Sequence, residues 1–207
     1  ALPIALSQLG YIVVQFADNA MVGSYGGDDP LPLSAVSFGV MMSFVMFSLS
    51  MGICLGMQCA VVEFARNVLG YEDAHSREMS PDTKHPVIDI MAEQKNITNM
   101  GGTMRLGAYP CKVTEGSNLH KAYGELLISE RHRHRYEFNN EYIEEFKKHG
   151  MKITGVNPDT NLVEVVEIED HPWYVASQYH PEYKSTVAKP HPMFVGFVKA
   201  MLEYSGK

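Results

Sequence analysis

The sequence predicts an α/β fold: an open, mostly parallel sheet flanked by helices, preceded by an apolar, helical N-terminal segment. Three observations carry this. An apolar run ends in Gly52-Ile53-Cys54-Leu55-Gly56, after which Val61, Phe64, Ala65, Val68 and Leu69 repeat at helical spacing as far as Gly70. Beyond residue 70, strand-like and helix-like stretches alternate to the end of the chain. Charge is unevenly spread: no Lys or Arg precedes Arg66, and Pro30 to Val62 contains no Asp, Glu, Lys, Arg or His.

The 207 residues accommodate one domain, or a domain with an appendage. A net charge of -7 argues against a general nucleic-acid binder. Three cysteines without framework spacing suit a reducing cytoplasm, and no Cys-x-x-Cys pair points to zinc. Cys59 and Cys111 read as core or surface thiols. In the N-terminal part, Ala1 to Ala17 is uncharged, Asp18 interrupts it, and Gly23 to Pro32 is turn-rich. The uncharged stretch from Pro30 exceeds the roughly 20 residues that span a bilayer. It lacks the basic start and cleavage site of a signal peptide. Phe44 to Ile53 reads equally well as a buried strand, because a short apolar run is not assigned by periodicity alone. The Met-rich stretch Val40 to Met51 reads as lipid-facing or core filler rather than a metal-binding box.

Gly-x-Cys-x-Gly between a strand and a helix has the form of a nucleophile elbow, where small neighbours make room for a strained backbone. Cys54 would then stand at a helix N-terminus, whose dipole and free amides favour a thiolate and can hold an oxyanion. The plainer alternative is a buried structural cysteine. Tyr71 to Pro86 reads as a polar loop containing Glu78, and Asn96-Ile97-Thr98 matches a glycosylation sequon of the kind that recurs by chance. Gly101 to Arg105 reads as a turn entering a strand. Arg131-His132-Arg133-His134-Arg135 reads as a strand with arginines on one face and histidines on the other. A phosphate patch and a metal site at His132 and His134 are its alternatives. Glu130, Glu137 and Glu141 neutralise the first, and the second has no third ligand nearby in sequence, so no metal is expected.

Tyr142 to His149 is a short helix capped by Gly150. Met151 to Val156 and Leu162 to Ile168 are strands around an Asn-Pro-Asp turn, and Trp173 to Gln178 is the next strand. Phe194, Phe197, Val198, Met201 and Leu202 repeat at helical spacing, and that closing helix is expected to pack on the sheet. Gln178-Tyr179-His180-Pro181-Glu182-Tyr183 follows the last strand and supplies what a cysteine nucleophile needs, a base in His180 and an orienting acceptor in Glu182.

The elbow together with His-Pro-Glu resembles the class I glutamine amidotransferases. Gly101-Gly102-Thr103-Met104-Arg105-Leu106-Gly107, Glu130 to Glu137 and His171-Pro172-Trp173 are similar to the glutaminase domain of the CTP synthases. This resemblance runs from about Gly52 to Tyr204. It implies a glutamine amidotransferase domain over residues 52–207, lacking its usual N-terminal part and the glycine-rich oxyanion loop. The implied reaction is hydrolysis of the glutamine side-chain amide, supplying ammonia for CTP synthesis from UTP. Cys54, His180 and Glu182 are the implied triad. Leu55, Gly56, Met57 and Gln58 border the substrate, with the Leu55 amide on the oxyanion, Glu78 on the amino group and the Arg135 fork on the carboxylate. The glutaminase step implies no cofactor; ATP, Mg and UTP belong to a synthetase domain, the expected partner. Loss of one oxyanion donor typically costs on the order of 10²- to 10³-fold, so impaired activity is expected.

Phe16-Ala17-Asp18-Asn19-Ala20-Met21-Val22-Gly23 and Leu33-Ser34-Ala35-Val36-Ser37-Phe38-Gly39 resemble the first two membrane helices of MATE-type transporters. Residues 1–51 therefore read as a transporter-like segment and the whole as a chimera. Gly26-Gly27 would be a loop between helices, or an imitation of the lost oxyanion glycines. The alternative function is a catalytically inactive chimeric fragment, membrane-inserted through residues 1–53. A third reading is an artefactual fusion.

Overall fold

The computed structural model describes residues 53–90 and 104–206. The chain divides into two units, residues 1–49 and 50–207, and every described residue belongs to the second. The expectations for the segment 1–51, for Gly26-Gly27, for a strand beginning at Phe44, for Asn96-Ile97-Thr98 and for Gly101 to Thr103 lie outside the described residues.

After the turn at Ile53 and Cys54 comes helix α1, Leu55–Asn67. Met57, Val61, Phe64 and Ala65 form its buried stripe, and Gly70 follows with φ 77°, the left-handed conformation that lets the chain leave a helix. The expected loop to Pro86 contains one short strand, β1 (His75–Ser76), and ends on β2, Pro86–Asp89. Strand β3 is Arg105–Val113, helix α2 Asn118–Tyr123, strand β4 Leu127–His134 and strand β5 Glu137–Phe138. A 3-10 turn, Asn140–Tyr142, leads into α3, Ile143–Lys148, with Gly150 at φ 100° beyond it. Strands β6 (Met151–Val156), β7 (Val163–Ile168) and β8 (Val175–Ser177) follow. A second 3-10 turn, Pro181–Lys184, and helix α4, Pro192–Tyr204, complete the chain.

The larger sheet has the order β4-β3-β6-β7-β8, and the smaller one β1-β2-β5. The fold is α/β, but the expectation of mostly parallel strands needs correction for the described residues. Only β1 and β2 pair in parallel there; every other pair is antiparallel. For β6 and β7 the antiparallel direction follows from the tight turn around Asn157, whose Oδ1 accepts from the amides of Asp159 and Thr160.

One apolar cluster joins α1 to Val87, Ile88, Phe138, Phe146, Met151, Val163 and Val166, and so fixes the helix that begins at Cys54. A second gathers Cys111, Val113, Leu119, Ile128, Val165, Tyr179 and Met193. Strand β4 alternates as expected: Arg131 and Arg133 are exposed, His132 and His134 buried. The closing helix departs from expectation. Within α4 only Met193 is buried, and Val198, Met201 and Leu202 are about half exposed. Helical periodicity located its apolar face, but no described element covers the C-terminal half of that face.

Candidate active site

Cys54 has φ 61° and ψ -89°, a combination that residues with a Cβ seldom adopt. The backbone holds it there from both sides. Its N–H donates to Ser177 O on β8 at 2.8 Å, and its carbonyl accepts from Gln58 N at 3.1 Å as the first turn of α1. The elbow read in the sequence is therefore a real strained turn at a helix N-terminus, tied to the end of the adjacent strand. Cys54 itself is only 9% exposed.

The strand that clamps Cys54 also leads into His180. His180 follows β8, and its own N–H donates to Arg131 O of β4 at 2.8 Å, which fixes its position between the two strands. Its Nδ1 lies 2.6 Å from Glu182 Oε1 and its ring stacks on Tyr183. That contact assigns the proton to Nδ1 and leaves Nε2 for another partner. Hydrogen bonding to Cys54, then to Glu182, raises the imidazole to about 10 against the opposing effect of burial. Nε2 nevertheless makes no hydrogen bond of full geometry and is buried. Cys54 is the largest influence on this imidazole, although no hydrogen bond of full geometry joins the two. Gln178, fully buried, completes the surroundings of the sulfur: its Nε2 donates to Cys54 Sγ at 3.3 Å.

The other candidates divide into two groups. Leu55 is exposed and Gly56 half-buried at the start of α1, beside Cys54. Met57 points into the core and is fully buried, so only its backbone is free to face a substrate. Gln58 is buried; its Nε2 donates to Tyr136 O at 3.0 Å, and its Oε1 finds no hydrogen-bond partner among the described residues. That bond draws the stretch containing Arg135, just past β4 and half-buried, toward α1. Glu78 is exposed on the turn after β1, where its N–H donates to Ser76 Oγ at 3.2 Å. A cavity of ≈ 310 Å³ between α1 and this turn is lined by Gln58, Val62, Arg66, His75 and Met79. Cys54, His180 and Glu182 are brought together; Glu78 does not line the cavity that Gln58 borders.

The sequence reading missed a buried ionic cluster behind the site. Arg105, 6% exposed, donates from Nη2 to Glu164 Oε1 at 2.8 Å and from Nη1 to Glu137 Oε1 at 3.3 Å. His132 Nε2 lies 3.4 Å from Glu164 Oε2, His134 Nδ1 3.4 Å from Glu137 Oε1, and the two imidazoles meet at 2.8 Å. Burial pushes Glu137 up to about 8 against the pull of Arg105, and it raises Glu164 as well. Burial and the Arg105 charge press His132 down to about 2 and His134 to about 3, so both are neutral. The only sequence signal for this cluster is the inward set of β4, and its partners stand 32 and 59 residues from Arg105.

Comparison with known proteins gives the family. The family model for glutamine amidotransferase class-I matches residues 49–200. A second and weaker match, MatE, covers residues 3–64 and overlaps the first across the elbow. A CTP synthase of Cytophaga hutchinsonii is 56% identical over 192 residues, which is 92% of this chain and 35% of that protein. One of Clostridium beijerinckii is 63% identical over 153 residues, 74% of this chain and 28% of that protein. Among solved structures, the glutaminase domain of Trypanosoma brucei CTPS with bound acivicin aligns with a TM-score of 0.68 at 38% identity, covering 73% of this chain and 59% of that one. The chain spans about a third of the length of these CTP synthases.

Proposed function

The chain belongs to the class I glutamine amidotransferase family, and on that premise we propose that it hydrolyses the side-chain amide of L-glutamine as the glutaminase part of a CTP synthase. The observation that carries this is the strained Cys54 with His180 and Glu182 beside it, hung from the same strand end by the Cys54 N–Ser177 O bond. With its proton already on the raised His180 imidazole, Cys54 Sγ attacks the amide carbon as the thiolate of an ion pair. The backbone amide of Leu55, at the positive end of α1, faces the oxyanion. His180 returns the proton to the leaving nitrogen, so that ammonia departs and a thioester remains. Water, deprotonated by the same imidazole, then cleaves the thioester to glutamate and free thiol. Glu182 holds the Nδ1–H tautomer throughout.

Gln58 and the backbone of Gly56 and Met57 border the substrate; Arg135 takes its carboxylate and Glu78 its ammonium. The glutaminase step needs no cofactor. ATP, Mg and UTP belong to a synthetase domain, the partner that would receive the ammonia. A second reading, an inactive fragment inserted in a membrane through residues 1–53, is favoured by the MatE match over 3–64. Against it, the Cytophaga alignment takes in 92% of the chain and so extends into that segment. Among the described residues, which do not include residues 1–52, no helix is long and apolar enough to cross a membrane, so this says nothing of that segment.

The test is covalent labelling by a glutamine-analogue electrophile, with ammonia release measured in the soluble and membrane fractions. Label on Cys54, lost in Cys54→Ala together with ammonia release, is expected. Label on Cys59 or Cys111 that survives Cys54→Ala would overturn the assignment.

A further inference from the structure

Gln178 sits between β8 and His180 and is fully buried. Its backbone is fixed, with its N–H donating to Glu164 O at 2.8 Å. Its side chain is not satisfied in the ordinary way. Among the described residues its one side-chain hydrogen bond runs from Nε2 to Cys54 Sγ, and Oε1 is buried with no hydrogen-bond partner. A half-satisfied amide in a dry interior is costly, so packing alone would favour an apolar side chain of the same shape here. Cys54, for its part, makes no side-chain capping bond to α1. The Cys54 N–Ser177 O bond sets the backbone of Gln178 next to the elbow, so the main chain dictates the reach of the amide to the sulfur.

Resting on the catalytic assignment above, we propose that Gln178 is a positioning residue for the nucleophile. Its amide N–H donates to the Cys54 sulfur once that sulfur is charged, fixing its direction and leaving its other side to His180. A donor on an ionised acceptor is stronger than a neutral pair. Gln178 neither gives nor takes a proton; the proton that leaves Sγ goes to His180. The titratable groups that face this imidazole are Cys54, Glu182, which holds its Nδ1, and Tyr183, which stacks on it, while His132 and His134 on β4 stay neutral.

The experiment follows alkylation of Cys54 by iodoacetamide against pH in the full chain, with peptide mapping. It compares the unaltered protein, Gln178→Met and Gln178→Glu, with exposed Cys59 as the internal standard. Far-UV circular dichroism checks the fold of each variant. The pH of half-maximal Cys54 labelling is expected to rise by roughly one to two units in Gln178→Met and further in Gln178→Glu, with Cys59 unmoved. A Cys54 profile unchanged in both folded variants overturns the role of Gln178 while the catalytic assignment stands. In the unaltered protein, Cys54 reacting like Cys59 overturns the catalytic assignment, and Gln178 with it. Should neither variant fold, nitrogen-15 spectra of the unaltered protein decide: the Gln178 side-chain amide resonance moves on alkylation of Cys54, or the proposal fails.

Discussion

Replacing Arg105 with methionine removes the one cation of the buried cluster while keeping a side chain of similar length. Arg105 faces Glu164 at 2.8 Å and Glu137 at 3.3 Å, and its guanidinium also lies 4.5 Å from the centre of the Tyr109 ring. At an effective dielectric of about 20, unit charges about 3 Å apart attract by roughly 5 kcal/mol. Desolvation of three ions offsets much of that in the intact cluster, whereas removing one partner leaves the others buried and uncompensated, so the expected loss is about 3–5 kcal/mol at pH 9.

The loss depends on pH in a definite sense. Glu137 already stands at about 8 in the fold, above its ordinary value of 4.5, and without Arg105 it rises further. A carboxyl raised by folding contributes stability that is fully present below its unfolded value and is lost as pH rises through its folded value. Near pH 6.5 the orphaned Glu137 is protonated in the folded variant and the penalty is small; as pH rises toward 9, keeping it protonated or leaving it ionised without a counter-ion costs progressively more. Urea denaturation followed by far-UV ellipticity at the two pH values measures this. A cost equal at both, or below about 1 kcal/mol at pH 9, would falsify the account of Arg105 as the counter-ion of two strained carboxyls. Since a domain of this kind is stable by only about 5–15 kcal/mol, the variant at pH 9 should be close to its unfolding limit.

Cys54→Gly should raise stability by about 1–2 kcal/mol, because glycine tolerates φ 61°, while Cys54→Ala gains none of this; equal melting temperatures for the two would contradict the strain. In Glu182→Gln, the His180 midpoint followed by ring-proton resonances should fall below the value near 10, and ammonia release should drop on the order of 10²- to 10⁴-fold. The sign for His180 is that its raised value adds stability fully present below pH 6.5 and lost as pH rises through 10, so an unmoved midpoint counts against Glu182 as its partner. Gly155→Ala should cost about 1–3 kcal/mol, since a Cβ there would stand 2.8 Å from both Cys111 Sγ and Val165 Cγ2; a neutral effect in thermal melts would show that β6 and β7 have slack.

What local pattern encodes was legible in the sequence. The glycines around Cys54 announced a strained turn, the apolar spacing after it announced α1, and the alternation from Arg131 to Arg135 put the arginines and histidines of β4 on opposite faces. His180 and Glu182 stand two residues apart, so one short motif contained both. Information about partners was not local and could not be read. The sulfur that Gln178 touches is 124 residues away, and Arg105 looked like part of a wall because its two carboxylates come from β5 and β7. The antiparallel pairing of the larger sheet was missed for a related reason: strand periodicity states which face is buried but not which neighbour is paired or in what direction.

The junction of Gly196 with Trp173 has a spectroscopic consequence. The indole lies so close to the α4 backbone at Gly196 that a methyl group there would run into the ring. It is the only tryptophan in the chain. Because α4 buries only Met193 among its own residues, it belongs to the part of the fold that opens at least cost. Intrinsic fluorescence therefore watches the undocking of one helix rather than the loss of the core. An emission curve should shift at lower urea than the ellipticity curve of the same sample. Coincident curves are the usual sign of a two-state transition, and here their separation would mark α4 leaving Trp173 while the elbow at Cys54 stays folded.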